Sequence, residues 1–131
     1  MRNKIYSVIV ILLSSLILVY ACNSNSLTNL DDIVFAEKDV SYLHQVEPFL
    51  RFTCAFVGCH GQSAAGGIVL NDYFEMMKEP GLVIPGNADG SQLIQILEEK
   101  LPHFTYYERS RINQNHLTGM RTWVNEGAKN N

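Results

Sequence analysis

The chain has 131 residues, 47% of them apolar, with 13 acidic and 10 basic side chains. That length suits one folded domain rather than two, with enough apolar material for a core. A net charge of −3 and no basic patch exclude nucleic-acid binding through the phosphate backbone. In chain order, "MRNKIYSVIVILLSSLILVYAC" comes first: Arg2 and Lys4, an uncharged run from Ile5 to Tyr20, then Ala21 and Cys22. A basic start, an apolar centre and a small residue before a cysteine predict a lipoprotein signal peptide over residues 1–21, with Cys22 acylated as the first mature residue. Two alternatives stand beside it, an uncleaved N-terminal membrane anchor and ordinary secretion. The apolar run of roughly 16 residues is short of the ~20 that span a bilayer, and Tyr20 occupies a position where a lipobox usually carries a small residue. All three readings export the domain from the cytoplasm to the cell envelope, and the first two tether it to a membrane.

Residues 22–131 carry 8 basic and 13 acidic side chains, a net charge of −5. "CNSNSLTNLDD" is polar and turn-prone, so residues 22–39 are expected to form a flexible tether, and ordered structure to begin near Val40. "HQVEPFLRFT" (His44–Thr53) spaces Val46, Phe49, Leu50 and Phe52 at helical period, with Pro48 tolerated in a first turn. His44 could support or cap that helix. "GQSAAGG" reads as a loop. "LNDYFEMMKEPG" reads as a short helix capped by Asn71 and stopped at Pro80-Gly81. "VIPGNADG" is turn material, and "SQLIQILEEK" (Ser91–Lys100) offers a broad apolar face. "LPHFTYYERSR" is a loop with three aromatics. The final segment predicts a helix capped by Asn113, with Leu117, Met120, Trp123 and Val124 on its buried stripe, ended by Gly127. On that helix His116 is expected to point outward, away from Leu117 and Trp123. No strand or internal repeat is evident, so the expected fold class is all-α.

The chemistry concentrates in "CAFVGCHG" (Cys54–Gly61). Three readings of its two thiols and adjoining imidazole are open. A disulfide is the ordinary fate of paired cysteines in an oxidising compartment. On a helix, however, positions five apart lie roughly 8–9 Å from each other, beyond the ~7 Å a bridge tolerates; a break at Gly58 would relax this. A zinc site would take Cys54, Cys59 and His60, with His103 or His116 as fourth ligand, although adjacent side chains diverge. Covalent haem is the third reading. C-x-x-C-H is the c-type attachment signature, and C-x4-C-H is its longer-spaced variant. The thiols add to haem vinyl groups as thioethers, which places the neighbouring His60 beneath the iron as proximal ligand. Gly58 and Ala55 let the wider arch form close to the porphyrin, and Gly61 lets the chain turn away.

The blocks "EPFLRFTCAFVGCHG", "AGGIVLNDYFEMM", "VIPGNADGSQLIQIL" and "MRTWVNEGAKNN" together resemble the small bacterial cytochrome c domains of planctomycete type, also found in Bacteroidetes lipoproteins. The resemblance covers about residues 40–131. It implies a cytochrome c-like fold around one covalent haem c, with the first and last helices packed across each other. Members of that family carry Met-Pro before the last helix, the methionine being the distal iron ligand. Here the dipeptide is Leu101-Pro102, and leucine cannot ligate. His103, two positions beyond Leu101, is the candidate distal ligand; the plainer reading is a solvated loop histidine. Met76, Met77 and Met120 are expected in the core, and Tyr106 and Tyr107 at the wall of the haem crevice.

The expected function is therefore electron transfer by a membrane-tethered, monomeric, monohaem cytochrome, not an enzyme. Its partner is a redox protein, met in a short-lived encounter. Two further functions are compatible with the same residues. One is a sensor or peroxidase-like protein with five-coordinate haem. The other is a haem-free, lipid-anchored binding protein whose motif has decayed.

Overall fold

The computed structural model describes Tyr6 and residues 27–103 and 111–131; Cys22, Tyr106 and Tyr107 lie outside them. Among the described residues every regular element is helical and none is a strand, so the fold class is all-α. No helix among them is long and apolar enough to cross a membrane. After a single 3-10 turn at Leu30–Asp32, the first longer helical segment opens as one π-helical turn, Tyr42–Val46, capped by Ser41 Oγ, which accepts from the His44 N–H at 3.3 Å. It continues as α1, Glu47–Thr53, with Pro48 in the first turn, where a missing N–H leaves no intrahelical bond unmade. The helical period expected from the sequence buries Val46, Phe49 and Leu50.

Helix α2, Tyr73–Lys78, is capped by Asp72 and not by the expected Asn71: the Asp72 carboxylate accepts from the Glu75 N–H at 2.9 Å. A carboxylate at that position also complements the positive end of the helix dipole. Helix α3, Gln92–Leu97, buries Leu93, Ile94 and Leu97. Ser91 before it is buried and ties the preceding turn, donating to the Asn87 carbonyl and accepting from the Ile84 N–H, each at 2.8 Å. Helix α4, Gln114–Asn125, starts at Asn113 as expected, whose side chain accepts from the His116 N–H at 3.0 Å. It ends before Gly127, which has φ +100°.

The first three helices are too short to persist alone in water; packing on α4 holds them. Trp123, Met120 and Val124 of α4 are buried with Phe49, Leu50, Met76 and Ile94. The Tyr42 ring lies 5.8 Å from Trp123 and 5.0 Å from Tyr73, so the π turn, α2 and α4 meet at one aromatic cluster. Arg121 of α4 reaches Asp89 at 2.6 Å and Glu98 at 2.8 Å, on either side of α3.

Two expectations are corrected here. Residues 22–39 are not a loose tether throughout, because Leu30, Ile33 and Phe35 are buried in the core. Asn115 of α4 clasps the backbone of Phe35 from both sides, accepting from its N–H at 2.8 Å and donating to its carbonyl at 3.0 Å. The Glu126 carboxylate accepts from the Asp39 and Val40 N–H groups at 2.7 and 3.0 Å. Ordered structure thus begins well before Val40, because this segment fills a face of α4 that the remaining helices leave uncovered. The second correction follows from the first. His116 does not point to solvent; it is fully buried beneath the same segment, with Nε2 3.0 Å from the Ile33 carbonyl.

Candidate haem site

The C-x4-C-H stretch leaves α1 as a chain of turns. Cys54 follows the last residue of α1 with φ −127°, ψ −35°, outside the helical region, so the helical spacing first applied to the two thiols does not hold. The backbone then coils tightly on itself. The Cys59 and Gly61 N–H groups both donate to the Phe56 carbonyl at 3.1 Å, and the His60 N–H donates to the Cys54 carbonyl at 3.2 Å. Gly58 takes φ +88°, a conformation that suits glycine, at the crest between the thiols. Its N–H donates to Ser63 Oγ at 2.7 Å. Gly61 is required for space: a Cβ there would stand 2.7 Å from the Ala55 carbonyl oxygen and 2.8 Å from that of Phe56. The following loop folds back through Ala64, Gly66 and Gly67, all at positive φ. It returns hydrogen bonds to the motif, from Ala65 N–H to the Cys59 carbonyl at 2.9 Å and from Leu70 N–H to the His60 carbonyl at 2.7 Å.

That loop also orients the imidazole. His60 Nδ1 lies 3.3 Å from the Ile68 carbonyl. A carbonyl can only accept, so Nδ1 carries the proton and Nε2 carries the lone pair. A backbone carbonyl fixing the tautomer is the usual support behind an imidazole that ligates a metal. No sequence signal points to Ile68, because its contribution is a main-chain oxygen.

Cys54, Cys59 and His60 line one cavity of about 380 Å³. Its opposite wall is apolar, built from Leu82 and from Leu93, Ile96 and Leu97 of α3, with Ile112 and the loop residue His103 closing it. Both thiols are half-buried and are not joined to each other. Thr53 anchors the first: its hydroxyl donates to the Phe49 carbonyl at 2.7 Å and lies 3.4 Å from Cys54 Sγ. His103 brings its Nε2 to 3.4 Å from that of His60, with the ring planes inclined at 45°. Two imidazole–metal bonds of about 2.0–2.1 Å, the length seen at zinc, placed end to end need roughly 4 Å between nitrogens. The two rings are therefore within roughly 0.6–0.8 Å of the spacing that two axial ligands of one metal need.

The residues fit a haem better than they fit zinc. Both thiols, both imidazoles and an apolar wall belong to one cavity, which suits an aromatic macrocycle with a cation at its centre. Among the described residues no group of three or more His, Cys, Asp or Glu side chains converges on a point that could hold a bare metal ion. His116, the other imidazole considered for a zinc site, is buried elsewhere and does not line the cavity. No methionine lines it either: Met76 and Met120 are fully buried, and Met77 packs against the core. His44 stands exposed in the π turn, where only its backbone serves the cap. In comparisons with known proteins, no family model, no curated protein and no solved structure matches this chain.

Proposed function

We propose that the domain is a monohaem c-type cytochrome that passes electrons one at a time, exported and tethered to a membrane through acylated Cys22. The observation that carries this reading is the meeting of the two imidazole Nε2 atoms, 3.4 Å apart, in the cavity that both thiols line. Haem supplies a one-electron ferric–ferrous couple when bound. Cys54 and Cys59 hold the group as thioethers, so that it cannot dissociate from an exported protein. His60 presents Nε2 as a lone-pair donor because Ile68 holds the proton on the other nitrogen. His103, whose Nε2 lies 3.4 Å from that of His60, would supply a second imidazole to the iron. Two imidazoles favour the ferric state more strongly than an imidazole and a thioether, which lowers the reduction potential. Leu93, Ile96 and Leu97 exclude water from one side. Val57 is 97% exposed and Phe56 is 38% exposed, so the turn between the thiols gives a partner protein an apolar point of contact. The excess of acidic side chains favours a basic partner face and rates that fall with salt.

His103 is exposed and lies on a loop rather than a helix, which favours a second reading, a five-coordinate sensor or peroxidase-like protein. One experiment separates the two. With His103 as ligand, ferric wild-type protein is low-spin, His103→Ala converts it to high-spin, and reduced wild-type protein binds carbon monoxide slowly while the variant binds it rapidly. A spectrum and a carbon monoxide rate that ignore the substitution remove His103 from the axial position and leave the five-coordinate reading.

A further inference from the structure

Away from the cavity, residues 29–40 form a strap on α4, and the ring of His116 is caught between the two. Both ring nitrogens are committed. Nδ1 accepts from the Asn113 N–H at 3.2 Å, and Nε2 lies 3.0 Å from the Ile33 carbonyl, to which it donates. This is the neutral imidazole with its proton on Nε2. A second proton would have to sit on Nδ1. There it would face an N–H donor at the start of α4, where the helix dipole is positive. The Phe49 and Phe35 rings, centred 5.4 and 6.2 Å away, offer the charge no solvation.

We propose that His116 is an acid-released latch: neutral, it holds the strap on α4; protonated, it lets the strap go and lengthens the connection between the domain and the chain that precedes it. The charged neighbours are few. From the strap, Asp31 favours the protonated ring, but it is exposed and already paired with Arg111 at 3.3 Å, so solvent screens it. From α1 only the Phe49 ring meets His116. Glu126, at the end of α4, clamps the far end of the strap by accepting from Asp39 and Val40. Desolvation by burial is the largest influence on His116 and holds its pKa below the usual imidazole value; the Ile33 carbonyl, Asp31 and the Leu30 backbone oppose it without overcoming it.

The direction of the pH effect follows. With the strap open, His116 is an ordinary imidazole that takes a proton near pH 6.5; with the strap closed it resists protonation. The closed form is fully favoured above about pH 6.5. Opening then rises about tenfold for each pH unit below that value, until the latched ring itself protonates. A freed strap of 12 residues spans at most roughly 40–43 Å at about 3.3–3.6 Å per residue.

Hydrogen exchange of the full chain at pH 7.5 and 5.5, corrected for intrinsic rates, tests the proposal. The Phe35 and Val40 amides, which donate to α4 side chain Asn115 and to Glu126, report the strap; the Ile94 and Leu97 amides report the core. The expected result is about a tenfold rise in strap opening at the lower pH with the core amides unchanged. His116→Gln keeps a donor for Ile33 but cannot take up a proton, and flattens the response. Glu126→Gln, which removes the carboxylate that clamps the far end of the strap, leaves the rise in place. Strap amides that stay as protected at pH 5.5 as at 7.5 overturn the latch, and that comparison needs no variant. So does a rise that persists in His116→Gln or disappears in Glu126→Gln.

Discussion

Gly61 is the residue on which the geometry of the motif turns. The Ala55 and Phe56 carbonyl oxygens occupy the place a Cβ would take, and both are main-chain atoms that cannot rotate aside. Gly61→Ala is expected to cost about 1–3 kcal/mol, seen as a lower melting temperature. It should also displace the backbone that carries Cys59 and His60, lowering the yield of covalently coloured protein per chain; an unchanged ratio of visible to 280 nm absorbance would count against the described turn. Tyr42 gives a prediction of opposite sign. Its hydroxyl is buried with no hydrogen-bond partner among the described residues, and burial first, then the nearby Glu47 carboxylate, pushes its pKa up to about 12. An unpartnered buried hydroxyl contributes no net stability, so Tyr42→Phe should melt at or above the wild-type temperature. The unfolded phenol ionises near pH 10 and the folded one resists ionisation. Stability from Tyr42 is therefore full below pH 10 and declines from about pH 10 towards 12. The phenylalanine variant should lack that alkaline decline; a clear drop in its melting temperature at neutral pH would mean that the hydroxyl has a partner. At this scale the sequence was legible where chemistry is local. Cys54, Cys59 and His60 announce themselves by spacing, and Asn113 by its place before a helical period. His116 stands four and seven positions before Met120 and Trp123, on the buried face, but a polar ring reads as solvated there because the carbonyl that satisfies it, that of Ile33, lies 83 positions away in the chain.

Helix α4 organises the elements, and the strap is the part of the molecule that its pattern did not reveal. The apolar stripe of Met120, Trp123 and Val124 is buried, with Trp123 in the aromatic cluster, as the period of the sequence requires. His116 and Gly119 lie on that same face, with Met120 four and Trp123 seven positions beyond His116, and Asn115 stands beside them, yet their polar and small side chains read as solvated. The partner of these residues is the strap, whose buried apolar residues, Leu30, Ile33, Phe35 and Val40, keep neither a helical nor a strand period along its length. Side-chain bonds from Asn115 and Glu126 to strap backbone carry the pairing, and such long-range bonds leave no periodic signal. Gly119 tests the packing. A Cβ there would collide with the Phe35 side chain. Alanine gains about 1 kcal/mol over glycine in helix propensity, while overpacking costs about 1–3 kcal/mol or more; the second effect should win. Gly119→Ala is expected to lower the melting temperature and to expose the Phe35 amide to exchange. A variant that melts higher, as propensity alone predicts, would show that the strap does not rest on α4.

The molecule as a whole is a set of short helices around a cavity of about 380 Å³. An apolar cavity of that size forfeits dispersion contacts along its lining, so a covalently held group that fills it would stabilise the fold by restoring those contacts in the native state. The all-α class was readable in the sequence. The facing of His60 and His103 was not readable from spacing, because the two lie 43 positions apart, and only the contrast of Leu101-Pro102 with the Met-Pro of the cytochromes that the sequence resembles singled out that loop. The most direct measurement is the visible spectrum of the full chain produced in a host equipped for cytochrome maturation, recorded before and after acid–acetone extraction. The account predicts a Soret band that survives extraction and is lost when Cys54 and Cys59 are both replaced by serine, with a lower melting temperature in the colourless variant. A colourless wild-type protein that melts at the same temperature as the serine variant would contradict it.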